Sequence, residues 1–135
     1  MSIHLDGNNL LNTQQMEVAV RGPDGATHLI LCTGMANLTP VRQETYTFLV
    51  GPHLSRRQFV SIIAAGAIST IQAHTKSSGR QNGEGSFDAR LLSIGATYDE
   101  EACRVKVIAE VSFGSATVEM AISYNVSILA ELQNY

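Results

Sequence analysis

The segment SRRQFVSIIAAGAISTIQAHTK, residues 55–76, carries the chain's one strong helix signal and so decides its class. Ser55 as N-cap and Gln58 three residues on form a capping box, each able to satisfy a backbone N–H of a first helical turn. Leu54 and Phe59 occupy the two positions of a hydrophobic staple. Gln58, Ser61, Ala65, Ser69, Gln72 and Lys76 recur three and four apart as a polar stripe, with Phe59, Val60, Ile62, Ile63, Ala64, Gly66, Ala67, Ile68 and Ile71 around the rest. So wide an apolar sector predicts a helix lying deep against a sheet.

On either side of this segment the pattern has a period of two. From Ala116 to Leu132 every even position is apolar and most odd ones are polar (Thr117, Glu119, Ser123, Asn125, Ser127, Glu131), the signature of a half-buried strand. Cys103, Val105, Val107, Ala109, Val111 and Phe113 alternate likewise. Gly114-Ser115 between the two runs suits a type II′ turn. That turn sets Phe113 opposite Ala116 and Val111 opposite Val118, with an apolar pair at every position on one face. The same register places Glu110 across from Glu119, which costs a few tenths to about 1 kcal/mol unless a cation or a partner intervenes.

Upstream of both, Leu92, Ile94, Ala96 and Tyr98 share a face, and Asp99 to Ala102 makes a turn. In the first half, Met16, Val18 and Val20 alternate, and Gly22-Pro23-Asp24-Gly25 follows. Proline there presets φ and glycine supplies the positive φ of a tight turn, so Thr27 to Thr33 returns as the second arm of a hairpin. Gln43 to Val50 is a third strand, stopped by Gly51-Pro52. Residues 1–14 read as an irregular lead-in, and 75–87 as a mobile Gly/Ser-rich loop. The expected architecture is a single α+β domain spanning 1–135, β-β-β-α-β-β-β, its mainly antiparallel sheet packed on one long helix.

Composition narrows the function classes. The chain has 135 residues, 44% of them hydrophobic and 16% charged, with a net charge of -3. A nucleic-acid binder would carry a basic stripe, and no Trp is present for base stacking. Cys32 and Cys103 both fall in expected strands and read as buried thiols of a reducing, cytoplasmic compartment. The first residues lack the basic start and apolar run of a secretory signal. Ser55 to about Ala73 resembles a twin-arginine export signal, two arginines before a mildly apolar run. Such signals sit at an N-terminus, whereas a strand pattern precedes this one, so a structured segment is expected instead. It is also too short for a membrane span.

The chemistry-bearing motifs are few. No Gly-x-Ser-x-Gly, His-Glu-x-x-His or Cys-x-x-Cys occurs, and no catalytic residue, metal site or cofactor is expected. His28, inside a strand, reads as a satisfied sheet histidine. The candidate ligand site is one for an anion, built from His53, Arg56 and Arg57 around the free N–H groups of a helix N-terminus; pairing of the arginines with a surface carboxylate is the plainer account. Glu110, Glu119, Leu129 and Leu132 are interface candidates, the leucines because a seventeen-residue strand would project beyond the domain. The function expected is a non-catalytic structural or protein-interaction subunit that forms a homo-oligomer. The alternative is an anionic-ligand module or enzyme with its pocket between helix and sheet.

Overall fold

The computed structural model describes residues 2–20, 27–38, 43–73, 89–113 and 118–132. Its elements are β1 (Ser2–His4), a 3₁₀ turn (Gly7–Asn9), β2 (Leu10–Ala19), β3 (Thr27–Leu38), β4 (Glu44–Val50), β5 (Phe59–Ala73), β6 (Ala89–Asp99), β7 (Arg104–Phe113) and β8 (Val118–Glu131). Two four-stranded sheets face each other, one ordered β1-β4-β7-β6 and the other β2-β3-β8-β5. Every pairing is antiparallel except β1 with β4. The fold is a β-sandwich, not the α+β arrangement expected from the sequence.

The helix expectation fails at β5. Phe59 to Ala73 is an extended strand bonded to β8 along its length, with irregularities at Phe59/Ser61 and Ile68/Thr70. Val60, Ile62, Ile63, Ile68, Thr70 and Ile71 are β-branched and lose side-chain freedom in a helix. Gly66 would cost a helix interior about 1 kcal/mol relative to alanine. Ile62, Ala64 and Ile68 face inward while Ser61, Ile63, Ala65 and Ala67 are exposed. The capping signature was real but local. Gln58 Oε1 accepts from Ser55 N–H at 2.8 Å and Gln58 N–H donates to Ser55 O at 2.9 Å, closing one turn that leads into a strand.

The second correction concerns the closing arms. β7 lies between β4 and β6, and β8 between β3 and β5, so the two arms belong to different sheets. Val111 partners Glu44 and Leu91, whereas Val118 partners Ala73. The Gly114-Ser115 turn itself lies outside the described residues. Both apolar alternations hold: Val105, Val107, Ala109 and Val111 are buried, as are Met120, Ile122, Tyr124, Val126, Ile128 and Ala130. An apolar face fits a neighbour across the core as well as one beside it, so alternation alone does not choose between them.

Tyr46, Phe48 and Val50 on β4, with Ile30, Cys32, Ala36 and Leu38 on β3, complete the core. The first hairpin stands: β2 and β3 pair from Leu10↔Ala36 to Ala19↔His28, with a bulge between Leu11 and Gln14 where Asn12 adopts φ 54. The expected turn at 22–25 and the whole of the expected loop at 75–87 fall outside the described residues. The lead-in is ordered into β1, the 3₁₀ turn and the start of β2. Asp99 makes the expected turn, accepting at Oδ1 from Glu101 N–H (2.9 Å) and Ala102 N–H (3.2 Å).

The two sides of the sandwich differ. At β5 and β6 the sheets draw together, Gly66 lying under Ile94 and Leu91. At the opposite side, the chain crosses from one sheet to the other through Leu5 and the 3₁₀ turn. Among the described residues no helix is long and apolar enough to cross a membrane.

Candidate functional site

The most unusual surface is the free edge of the second sheet. Among the described residues β2 is bonded on one side only, to β3, and all its residues after Leu10 are exposed. Leu11, Met16 (59% exposed) and Val18 carry large apolar side chains into solvent, with Val20 just beyond the strand. Its single charged residue is Glu17, whose Oε2 lies 2.9 Å from His28 Nδ1, misaligned for a hydrogen bond. Soluble proteins usually guard such edges with lysine, proline or a covering loop. Here the bulge at Leu11/Gln14 interrupts one end, and Gln14 to Ala19 runs regularly.

The outer face of the same sheet continues this apolar character. Cross-strand rows set Val18 beside Leu29, Leu129 and Ser61, and Met16 beside Leu31, Ser127 and Ile63. Ile63 is 72% exposed.

A cleft of about 400 Å³ lies beside this edge, between the sheets, on the side where β1 and the 3₁₀ turn cross. Leu10, Cys32, Val50, Arg104 and Tyr124 are among its walls. Arg104 Nε donates to Gly51 O at 2.8 Å. Burial pushes the Cys32 thiol above its ordinary value, against the opposing pull of the Arg104 charge. Burial likewise raises the Tyr124 phenol, with Cys32 adding to it. Both cysteines are free, and Cys103 is exposed in the turn before β7, contrary to the expected pair of buried thiols. Iodoacetamide at neutral pH should therefore modify Cys103 at least about tenfold faster than Cys32, because the thiolate reacts and access limits it. Peptide mass spectrometry over a time course reads both rates.

The residues expected to bind an anion do not sit at a helix N-terminus, since β5 is a strand. Arg56 pairs with Glu100 and lies 5.7 Å from the Tyr98 ring centre, and that ring stacks on Phe59. Its charge is engaged by a surface carboxylate. His53 and Arg57 are exposed in the connection between β4 and β5.

The interface candidates scatter. Glu110 faces Thr45 and Ser93 and accepts from Gln43 Nε2 at 2.8 Å, so it does not oppose Glu119. Glu119, in β8, partners Gln72 of β5. Leu129 belongs to the outer apolar rows, and Leu132 packs against the core without projecting.

Among the described residues no three His, Cys, Asp or Glu side chains gather as a metal site would require. The β2 edge had a visible sequence trace, the near-absence of charge from Leu10 to Ala19. The cleft had none, because its walls come from strands far apart in sequence. No family model, curated protein or solved structure matches the chain.

Proposed function

We propose that the chain is a non-catalytic structural subunit that assembles with copies of itself by pairing β2 edges. The observation that carries this reading is a ten-residue edge strand with exposed Leu11, Met16 and Val18, whose single charge is drawn to His28. A strand edge can pair antiparallel with its own copy about a two-fold axis, the commonest symmetry of oligomers. A chain of net charge -3 meets itself without local repulsion where the edge is nearly uncharged. The pairing would extend the sheet across two subunits and place the outer apolar rows of both side by side.

Light scattering at micromolar concentration is expected to find a dimer or larger species. Met16→Lys with Val18→Lys should release monomers, since like charges across an interface cost several kcal/mol, a shift of about 100-fold or more in dissociation constant. Both side chains are exposed, so the variant should keep the wild-type circular dichroism spectrum. A monomeric wild-type chain would overturn the reading.

A further inference from the structure

We infer that the cleft between the sheets, beside β1 and β2, binds a small organic anion: an acidic head group on an apolar body. The site borders β2, whose Leu10, Thr13, Gln14 and Gln15 are part of its lining, and the inference does not rest on self-association. Three observations converge on it.

First, the cleft carries a fixed cation that forms no ion pair among the described residues. Arg104 Nε is held by Gly51 O, which leaves the rest of the guanidinium group to serve other acceptors. Among the described residues no carboxylate lies within ion-pair distance of Arg104. Asp6, the carboxylate in the lining, is turned to its own chain, where Oδ1 accepts from Asn8 N–H at 2.9 Å. A guanidinium fork suits carboxylate and phosphate oxygens, which it can hold with two parallel hydrogen bonds.

Second, Tyr124 lines the cleft with an unused donor. The residue is 4% exposed, and its ring packs 4.9 Å from that of Phe48 and over Gly34. No hydrogen bond of its hydroxyl is found among the described residues. The oxygen is not one of the buried unpartnered atoms, so it opens onto the cleft and can donate to an occupant.

Third, the remaining wall is mixed in the way ligand sites are. Leu5, Leu10 and Val50 supply apolar surface, and Thr13, Gln14 and Gln15 supply polar groups at the rim. The volume, about 400 Å³, falls in the range of small-molecule pockets. Leu10 is only partly buried and would still meet water beside a bare inorganic ion, so an apolar body suits this lining together with an acidic head group.

Cys32 reports occupancy from within, because its thiol lies in the same wall. Octanoate, benzoate and phenyl phosphate at millimolar concentration are compared with octanol and benzyl alcohol, following iodoacetamide labelling of Cys32 and Cys103 in the wild-type chain. At least one of the acids is expected to slow Cys32 labelling several-fold and leave Cys103 unchanged, and the neutral alcohols should not. Arg104→Gln should abolish the protection. Tyr124→Phe keeps the ring and should weaken it, which tests the site even where Arg104→Gln fails to fold. Equal protection by the alcohols, protection that survives both substitutions, or no protection by any of the acids would overturn the inference.

Discussion

Phe48→Ala is expected to destabilise the protein by about 3–5 kcal/mol, the usual range for emptying a large aromatic site in a core. Phe48 is 0% exposed at the middle of β4, and its ring meets Tyr124 of the opposite sheet at 4.9 Å with a 55° tilt. The loss has two parts, the transfer of the ring from water and the cavity it leaves. The cavity decides the size here. Phe48 faces Val107 across the strand pair and Tyr124 across the core, in one buried cluster with Val105, Ile30 and Ile128 on paired strands, so the walls close poorly on the gap. Thermal or urea unfolding measures the change, with an expected fall in midpoint of about 10 °C or more. A loss below about 1 kcal/mol would mean the sheets collapse onto the void, and the described core packing would be wrong.

The second large effect is expected at Gly66. A Cβ there would stand 2.8 Å from Ile94 Cδ1 and 2.9 Å from Ser123 O. The isoleucine tip can turn aside, but the Ser123 carbonyl belongs to the backbone of β8, a strand paired on both edges. Gly66→Val must therefore push β5 away from β8 or from β6, at about 1–3 kcal/mol or more. Gly95 provides the contrast. A Cβ there meets nothing within 4 Å, on a strand of the other sheet. Gly95→Val should be neutral or slightly stabilising, since a branched side chain suits an open strand position. Unfolding of the two variants in parallel separates close approach from the general effect of replacing a glycine. Equal effects would show that β5 and β6 are not drawn together.

The difference between sequence and structure has a definite physical origin. Alternation reports which face of a strand is buried, and it did so for Val105 to Val111 and for Met120 to Ala130. It carries no information about which strand lies beside which. The Gly114-Ser115 pair suggested adjacency, yet β7 and β8 separate into opposite sheets and meet across the core. In β5 the difficulty was low contrast. Ala64, Ala65, Gly66 and Ala67 are too small to mark a face, so the same residues fit a helical stripe and a strand alternation. The six β-branched residues favoured the strand, but the local turn at Ser55 and Gln58 imitated a helix start. At the candidate surfaces, the exposed apolar residues of β2 were visible as an alternating run. That they lie on an edge strand followed only from the sheet order. Arg104 and Tyr124 are twenty residues apart, and only the folded chain puts them in one cleft.

The position of β8 has a consequence for how the molecule comes into being. It joins β3 to β5, yet it follows both in the chain and leaves the ribosome after them. Until it arrives, two long apolar strands of a nascent polypeptide each lack their central partner. Apolar surface left open at that stage, and slow folding governed by distant pairings, are what such an order of synthesis imposes.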